Sequence, residues 1–185
     1  MVSHIVKRKG LSEVVSTLLL LIVAVLLATV ATYYATNITM TRTESEQMSS
    51  SKAHVWVNST GAIAAFKIEN LGGKDILIDK LSVRGVEEAW TDVYYNRIAS
   101  GTSFTSDLTI CNYTAMTGSS FSHAGKTYTQ ASSDIPLISG GEILVYIKGP
   151  DNVQIDDIGV SVSIAIHTSN AKYITEVNVE SATTQ

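Results

Sequence analysis

The sequence has few of the residues that cross-link a fold or interrupt its helices. Its 185 residues include one cysteine, Cys111, and two prolines. A single cysteine excludes an intramolecular disulfide, so the fold must be stabilised by packing, by oligomerisation or by attached glycans. We expect Cys111 to behave as a small buried hydrophobic residue.

Sequence motifs typical of catalytic sites or metal sites are also scarce. The four histidines are scattered, and no HExxH, P-loop or EF-hand spacing occurs. The sequence therefore predicts no enzyme, no catalytic residues, no metal and no cofactor. One acidic loop could offer oxygen ligands to calcium, but a solvated turn is the favoured interpretation; its residues are Asp151, Asn152, Asp156 and Asp157. The pair Glu87 and Glu88 is likewise interpreted as a solvated loop.

An excess of positive charge is absent as well. Lys and Arg total 13 against 17 Asp and Glu, which gives a formal net charge of -4. A protein that binds the phosphate backbone needs a basic patch or stripe. The acidic balance therefore argues against nucleic acid as a partner.

Charge of either sign is missing between Glu13 and Arg42. This interval contains the apolar run from Val14 to Tyr34, whose helical length of about 30 Å matches the hydrocarbon core of a bilayer. A basic cluster precedes the run, so the positive-inside rule keeps residues 1–10 in the cytoplasm and sends the remainder outside. The sequence predicts one membrane span, residues 14–34, and a simple signal anchor would satisfy this pattern.

The residues at the junction suggest a second interpretation. Lys7-Arg8-Lys9-Gly10 followed by LSEVVSTLLLLIVAVLLATVA resembles the class III signal peptide of archaeal type IV pilins, in the superfamily that also contains archaellins. The resemblance implies a leader peptide, residues 1–10, that a prepilin peptidase removes by cutting between Gly10 and Leu11. Without a side chain, Gly10 lets an extended backbone enter a protease site closely. Loss of three cations with the leader would change the formal charge to -7.

Such a cut would leave the apolar helix on the mature protein. Ser12 could then cap the helix, and Glu13 would lie in its first turn near the positive end of the helix dipole. A helix that is apolar on every side is stable only when it is buried, in lipid or among other such helices. We therefore predict that a filament core is formed by Glu13, Val14, Leu18, Leu19, Leu20, Leu21, Ile22, Val25, Leu26, Leu27 and Val30.

The helix is expected to continue beyond the apolar run. Residues 35–52 contain neither Gly nor Pro and include several adequate helix formers. The sequence thus predicts one unbroken helix from about Ser12 to about Ser50, within an N-terminal segment of residues 11–52. Its Thr and Ser clusters lower the helix propensity and could instead form a linker.

The hydrophobic period changes to two after this segment, and turn residues divide the chain into short runs. The predicted fold class is therefore α+β, a long N-terminal hydrophobic helix followed by an antiparallel β-sandwich over residues 53–185. The resemblance to archaeal pilins implies that this sandwich is immunoglobulin-like. Three strands are predicted over residues 54–85 and further strands over 142–148, 158–167 and 172–179, the last two joined as a hairpin. Residues 90–98 and 104–110 are weaker strand candidates, and residues 114–133 are predicted to be a loop.

Three N-x-Ser/Thr sequons mark possible N-linked glycans. They begin at Asn37, Asn58 and Asn112. The predicted topology places all three outside the membrane. Asn37 lies closest to the membrane and would fall inside an assembled filament.

These features favour a pilin, the subunit of an adhesion pilus that polymerises through its own helices. The expected partners are other copies of the chain, the prepilin peptidase with the pilus assembly machinery, and the cytoplasmic membrane before assembly. The expected location is an extracellular filament on the cell surface. Two alternatives stay open: an archaellin, which is a motility filament subunit, or a membrane-anchored surface protein that binds a solute or sugar.

Overall fold

A computed structural model describes residues 3–99 and 101–182, with the side chains of residues 3–10 and 42–44 left out. The chain divides into two units between Thr43 and Glu44. The first is one long apolar helix, and the second, which we call the head, is a mostly antiparallel β-sheet region. The predicted α+β class is confirmed at this level.

The helix α1 extends without interruption from Ser3 to Glu44. Its 42 residues correspond to a length of about 63 Å at 1.5 Å per residue. The interval contains no Pro and only one Gly, Gly10, whose cost of about 1 kcal/mol in a helix interior is tolerated. Because the helix already begins at Ser3, Ser12 is not its cap and Glu13 is not in its first turn in the uncut chain.

The sequence predicts that the helix ends near Ser50, within a helical segment of residues 11–52. This predicted C-terminal end is wrong. α1 ends at Glu44, and Met48–Val57 forms the first strand, β1. Ser49, Ser50 and Ser51 are poor helix formers, and their backbones pair with a neighbouring strand of the head. The pairing partners are distant in sequence, so local propensity did not reveal them.

Eleven strands occur in the part of the head that the structure describes. In chain order they are β1 Met48–Val57, β2 Ala62–Asn70, β3 Ile76–Val83, β4 Val86–Glu87, β5 Val93–Arg97, β6 Ser120–His123, β7 Lys126–Gln130, β8 Ile135–Leu137, β9 Glu142–Lys148, β10 Ser161–Thr168 and β11 Lys172–Ser181. Short 3-10 helices occupy Trp90–Asp92, Tyr113–Ala115 and Ile155–Asp157.

The strong strand predictions are confirmed. β2 and β3 lie in the 54–85 region, β1 enters it but begins earlier, at Met48, β9 coincides with residues 142–148, and β10 and β11 form the predicted hairpin. Two weaker predictions are wrong. Residues 104–110 form a loop, because side chains of the sheet bond its backbone groups. The loop predicted over residues 114–133 contains the hairpin β6–β7, whose turn at Ala124 and Gly125 has φ of 49° and 72°.

All strands belong to one hydrogen-bonded sheet, which bends into a half-barrel. The order is β4-β3-β10-β11-β1-β2-β9-β5-β7-β6, with β8 paired to β3. Every neighbouring pair is antiparallel except β1 and β11, which run parallel. The predicted division into two sheets of a sandwich is not confirmed.

Two apolar clusters lie on opposite faces of the central strands β2 and β9. The larger cluster includes Phe66 and Val145 from these strands and Leu81 and Ile164 from β3 and β10. The second cluster includes Leu144 and Tyr146 and is covered by the segment between β5 and β6. Because both faces are buried, β2 and β9 read as nearly continuous apolar runs, which is typical of central strands.

Candidate functional site

The surface of α1 is the most unusual feature of the chain. Every described side chain from residue 11 to residue 41 is exposed to solvent. The large apolar side chains among them occupy all sides of the helix, and no charged side chain interrupts them between Glu13 and Arg42. A soluble helix normally buries one apolar face and exposes a polar one, so this helix requires an apolar environment all around it.

The threonine hydroxyls inside this segment bond to backbone carbonyls of the helix itself. The hydroxyls of Thr32 and Thr36 donate to the carbonyls of Ala28 and Thr32, each at 2.8 Å, and the Thr29 hydroxyl donates to Leu26 at the same distance. Unsatisfied hydroxyls are costly in lipid or in a dry helix bundle. The threonines therefore do not prevent burial of α1.

Residues Leu11–Thr41 qualify by length and composition as a membrane span. The predicted span of residues 14–34 lies within this range. A membrane anchor and a signal sequence share these properties, so the helix is compatible with insertion as either.

The residues predicted for a filament core all lie in α1 and are all exposed. They are Glu13, Val14, Leu18, Leu19, Leu20, Leu21, Ile22, Val25, Leu26, Leu27 and Val30. Their contacts with other copies stay a prediction. At the predicted processing site the backbone of Lys9 and Gly10 is helical, and Leu11 is 70% exposed. The side chain of Lys9 lies outside the described residues, as do Met1 and Val2 of the predicted leader.

The three sequons differ in their surroundings. Asn37 is exposed on α1, within the span-length segment. Asn58 is half-buried, and its side-chain oxygen accepts from the backbone N–H of Thr60 at 2.7 Å. Asn112 is exposed on the head, where its oxygen accepts from the backbone N–H of Thr114 at 2.9 Å. Of the two sequons on the head, only Asn112 is exposed, and modification stays a prediction for all three.

Two lysine side chains of the sheet donate hydrogen bonds to the segment between β5 and β6. The Lys52 Nζ donates to the carbonyls of Thr105 and Ser106 at 2.6 and 2.5 Å. The Lys148 Nζ donates to the Met116 carbonyl at 2.6 Å. Sequence reasoning missed both lysines, although Lys148 ends the apolar strand β9 and an amine at such a position must find a partner nearby.

A buried ion pair holds the start of the same segment. Glu142 on β9 accepts from the Phe104 backbone N–H at 2.9 Å and from the Ser103 hydroxyl, and its Oε1 lies 3.5 Å from the Lys67 Nζ. Burial opposes the charge of Lys67, but its bond to Glu69 and the attraction of Glu142 raise its pKa. Burial likewise opposes the charge of Glu142, but its hydrogen bonds and Lys67 lower its pKa. Both residues therefore stay charged inside the head.

Glu88 contradicts the prediction that Glu87 and Glu88 form a solvated loop. Glu87 is exposed and lies 3.6 Å from the Lys80 Nζ, whereas Glu88 is buried and its Oε1 has no hydrogen-bond partner within the described structure. Burial raises the pKa of Glu88 to about 7, and repulsion from Asp151 and Asp92 adds to the shift. Cys111 is buried as expected, and burial raises its pKa to about 12.

The acidic loop considered for calcium has a structural role. Asp157 accepts from the Arg84 guanidinium and from the backbone N–H of Gln154, each at 2.9 Å. Arg84 also donates to the Asn152 carbonyl at 3.0 Å. Among the side chains that the structure describes, no group of three His, Cys, Asp or Glu is arranged to hold a metal ion.

Comparisons with known proteins add no functional assignment. The chain was compared with protein-family models and with curated proteins, and neither comparison found a match. The function must therefore be argued from the helix and the head themselves.

Proposed function

We propose that this chain is the structural subunit of an archaeal type IV adhesion pilus. It is made as a precursor in the cytoplasmic membrane and polymerises through α1 into an extracellular helical filament. One observation carries the proposal: all described side chains of α1 from residue 11 to residue 41 are exposed, and no charge occurs between Glu13 and Arg42. The junction Lys7-Arg8-Lys9-Gly10, with its resemblance to pilin leader peptides, supports it.

The physical argument rests on the two environments that suit such a helix. Lipid surrounds its apolar surface before assembly, and other copies of the helix replace the lipid in the filament. Each copy contacts the next through different surfaces, which generates an open helical polymer instead of a closed ring. The precursors inserted in the membrane are then the pool of subunits from which the filament assembles.

The head would form the outer layer of the filament. We propose that it is a variant of the immunoglobulin-like sandwich, because strands β2 and β9 and strands β3 and β10 contribute to one apolar cluster from two parts of the bent sheet. The sequons at Asn58 and Asn112 lie on this layer. The proposed role is structural, without a cofactor or nucleic acid, and the assembly partners are the prepilin peptidase and the pilus machinery.

Sheared cell-surface material, viewed by negative-stain electron microscopy, tests the proposal. We expect filaments that contain this chain in the wild type. Leu20→Lys should lower the filament yield about a hundredfold, because a lysine costs about 3 kcal/mol at the centre of an apolar environment. Ile174→Lys, on the exposed face of β11, is the matched control and should assemble normally.

The membrane fraction must be measured for both variants, so that failed insertion is not mistaken for failed assembly. If the Leu20→Lys precursor is present in the membrane and still forms filaments at the wild-type yield, the proposed filament core is contradicted. Wild-type protein found only as an anchored monomer would favour the surface-binding alternative. A deletion strain that loses swimming but keeps surface attachment would identify the filament as an archaellum.

A further inference from the structure

The central side chain of the Asn112 sequon, Tyr113, fits closely onto the sheet. Its ring lies against the turn between β1 and β2, where a Cβ at Gly61 would be 2.5 Å from the Tyr113 Cε2. In addition, a Cβ at Gly149 would be 2.9 Å from the Tyr113 hydroxyl oxygen. The Lys148 Nζ lies 5.0 Å from the ring centroid, within the range of a cation–π contact. Two glycines and a cation thus surround the ring in what we call the packed position of Tyr113.

The backbone of the sequon is folded into a turn. The Asn112 Oδ1 accepts from the backbone N–H of Thr114 at 2.9 Å and from its hydroxyl at 2.6 Å. Tyr113–Ala115 form a 3-10 helix, and the Lys148 Nζ donates to the carbonyl of the next residue, Met116, at 2.6 Å. Side-chain hydrogen bonds therefore fix both ends of this turn.

This folded conformation conflicts with what a glycosyl-transferring enzyme must reach. A sequon requires Ser or Thr at its third position, so the enzyme must contact that hydroxyl as well as the asparagine amide. Here the Thr114 hydroxyl is bonded to the amide of Asn112 itself, and Tyr113 between them is packed on the sheet. Both groups become accessible together only when Tyr113 leaves its packed position.

The same turn accommodates a glycan that is already attached. Both hydrogen bonds of the Asn112 side chain use Oδ1, and within the described structure its Nδ2 donates none. A glycan is joined to Nδ2, so Oδ1 keeps its capacity to accept after transfer. Asn112 is also exposed, so an attached sugar extends into solvent while Tyr113 stays packed.

We infer that Asn112 is a modification site that folding of the head closes, so that the glycan is attached before Tyr113 reaches its packed position. In the transfer, Nδ2 forms a bond to the anomeric carbon of the sugar and loses one proton. The bond from that carbon to the phosphate oxygen of a lipid carrier breaks, and the phosphate leaves with the electron pair. The inference rests on the proposed function in that the head lies outside the membrane, where the sequon meets the enzyme.

Transfer to the folded protein tests the inference. The full chain without glycan, in detergent micelles, is mixed with a purified oligosaccharyltransferase and a lipid-linked oligosaccharide, and mass spectrometry follows the occupancy of Asn112. A synthetic peptide of residues 108–118 is the unfolded reference. Gly61→Ala adds a methyl group against the ring of the packed tyrosine, whereas Ser59→Ala changes an exposed residue of the same turn and is the matched control. Fluorescence of the buried Trp56 shows that each chain is folded.

We expect rapid modification of the peptide and slow modification of the folded wild type and of Ser59→Ala. Gly61→Ala should be modified about tenfold faster than the wild type, because one extra methyl group in a packed site favours the displaced ring by about that factor. A folded wild type that reacts as fast as the peptide would overturn the inference, and so would equal rates for Gly61→Ala and Ser59→Ala. A peptide that is not modified would show that Asn112 is no acceptor, which also overturns it. These rates are measured without filaments, so absence of filaments from wild-type cells would refute the proposed function alone.

Discussion

Lys67 and Glu142 are buried residues of opposite charge on the neighbouring strands β2 and β9, with the Lys67 Nζ 3.5 Å from the Glu142 Oε1. Glu142 also accepts from the Phe104 backbone, so the pair connects the centre of the sheet to the segment that covers it. Charges inside an otherwise apolar strand are costly unless they are paired and hydrogen-bonded. Here the pairing supplies a fixed attachment point for the covering segment.

Glu142→Ala should destabilise the head by about 3 kcal/mol. The change leaves Lys67 with only the bond to Glu69 and removes the acceptor of the Phe104 N–H. Urea unfolding of the full chain in detergent micelles, followed by fluorescence of the buried Trp56, measures the loss. Glu176→Ala, at an exposed position on β11, is the control and should unfold within about 0.5 kcal/mol of the wild type. Equal stability of Glu142→Ala and the control would refute the attachment role.

Glu88 makes the stability of the head depend on pH. Its folded-state pKa of about 7 lies above the ordinary value of 4.5, so the folded state holds a proton that the unfolded state has already released. The free energy of unfolding should therefore fall as the pH rises from about 4.5 to about 7, and this contribution should be constant above that range.

Glu88→Gln removes the titration and should stabilise the head by about 3 kcal/mol at pH 8, with little effect at pH 4.5. Unfolding midpoints in urea at the two pH values measure the difference. Glu87→Gln is the matched control, because Glu87 is exposed beside Lys80. A gain for Glu88→Gln that is equal at both pH values would show that the buried carboxyl does not titrate in this range.

Processing at Gly10 should be visible as a change of mass. We expect the filament subunit to begin at Leu11, and Gly10→Val to block the cut because a β-branched side chain hinders close approach of the backbone to a protease. N-terminal sequencing and intact mass of membrane and filament fractions measure the outcome. Ser12→Ala, beyond the cut, is the control. Filaments whose subunits still begin at Met1 would show that the leader is retained.

Asn112 is the sequon that we expect to carry a glycan, since its side chain is exposed on the head. The mass of the native subunit should exceed that of the bare chain, and Asn112→Gln should reduce this excess by one glycan. Asn178→Gln, which changes an exposed asparagine outside any sequon, should leave the excess unchanged. A native mass equal to that of the bare chain would exclude glycosylation at all three sequons.

The sequence by itself determined the apolar helix and the stronger strands. Length, composition and the absence of charge are properties of a continuous segment, so α1 was predictable without knowing its neighbours. Apolar and polar side chains alternate over residues 161–168, which is the pattern of a half-buried strand, so this strand was predictable. The predicted hairpin with β11 is confirmed.

Only the tertiary structure decided where the helix ends, how the sheet closes and which charges are buried. Ser50 belongs to a strand because it pairs with Ile68, and residues 104–110 form a loop because Lys52 and Glu142 bond their backbone. Glu88 is buried, and its pKa is raised by that burial, by the carboxylate of Asp151, which is remote in sequence, and by the carboxylate of nearby Asp92. These outcomes depend on contacts between remote residues, and such contacts leave no local pattern in the sequence.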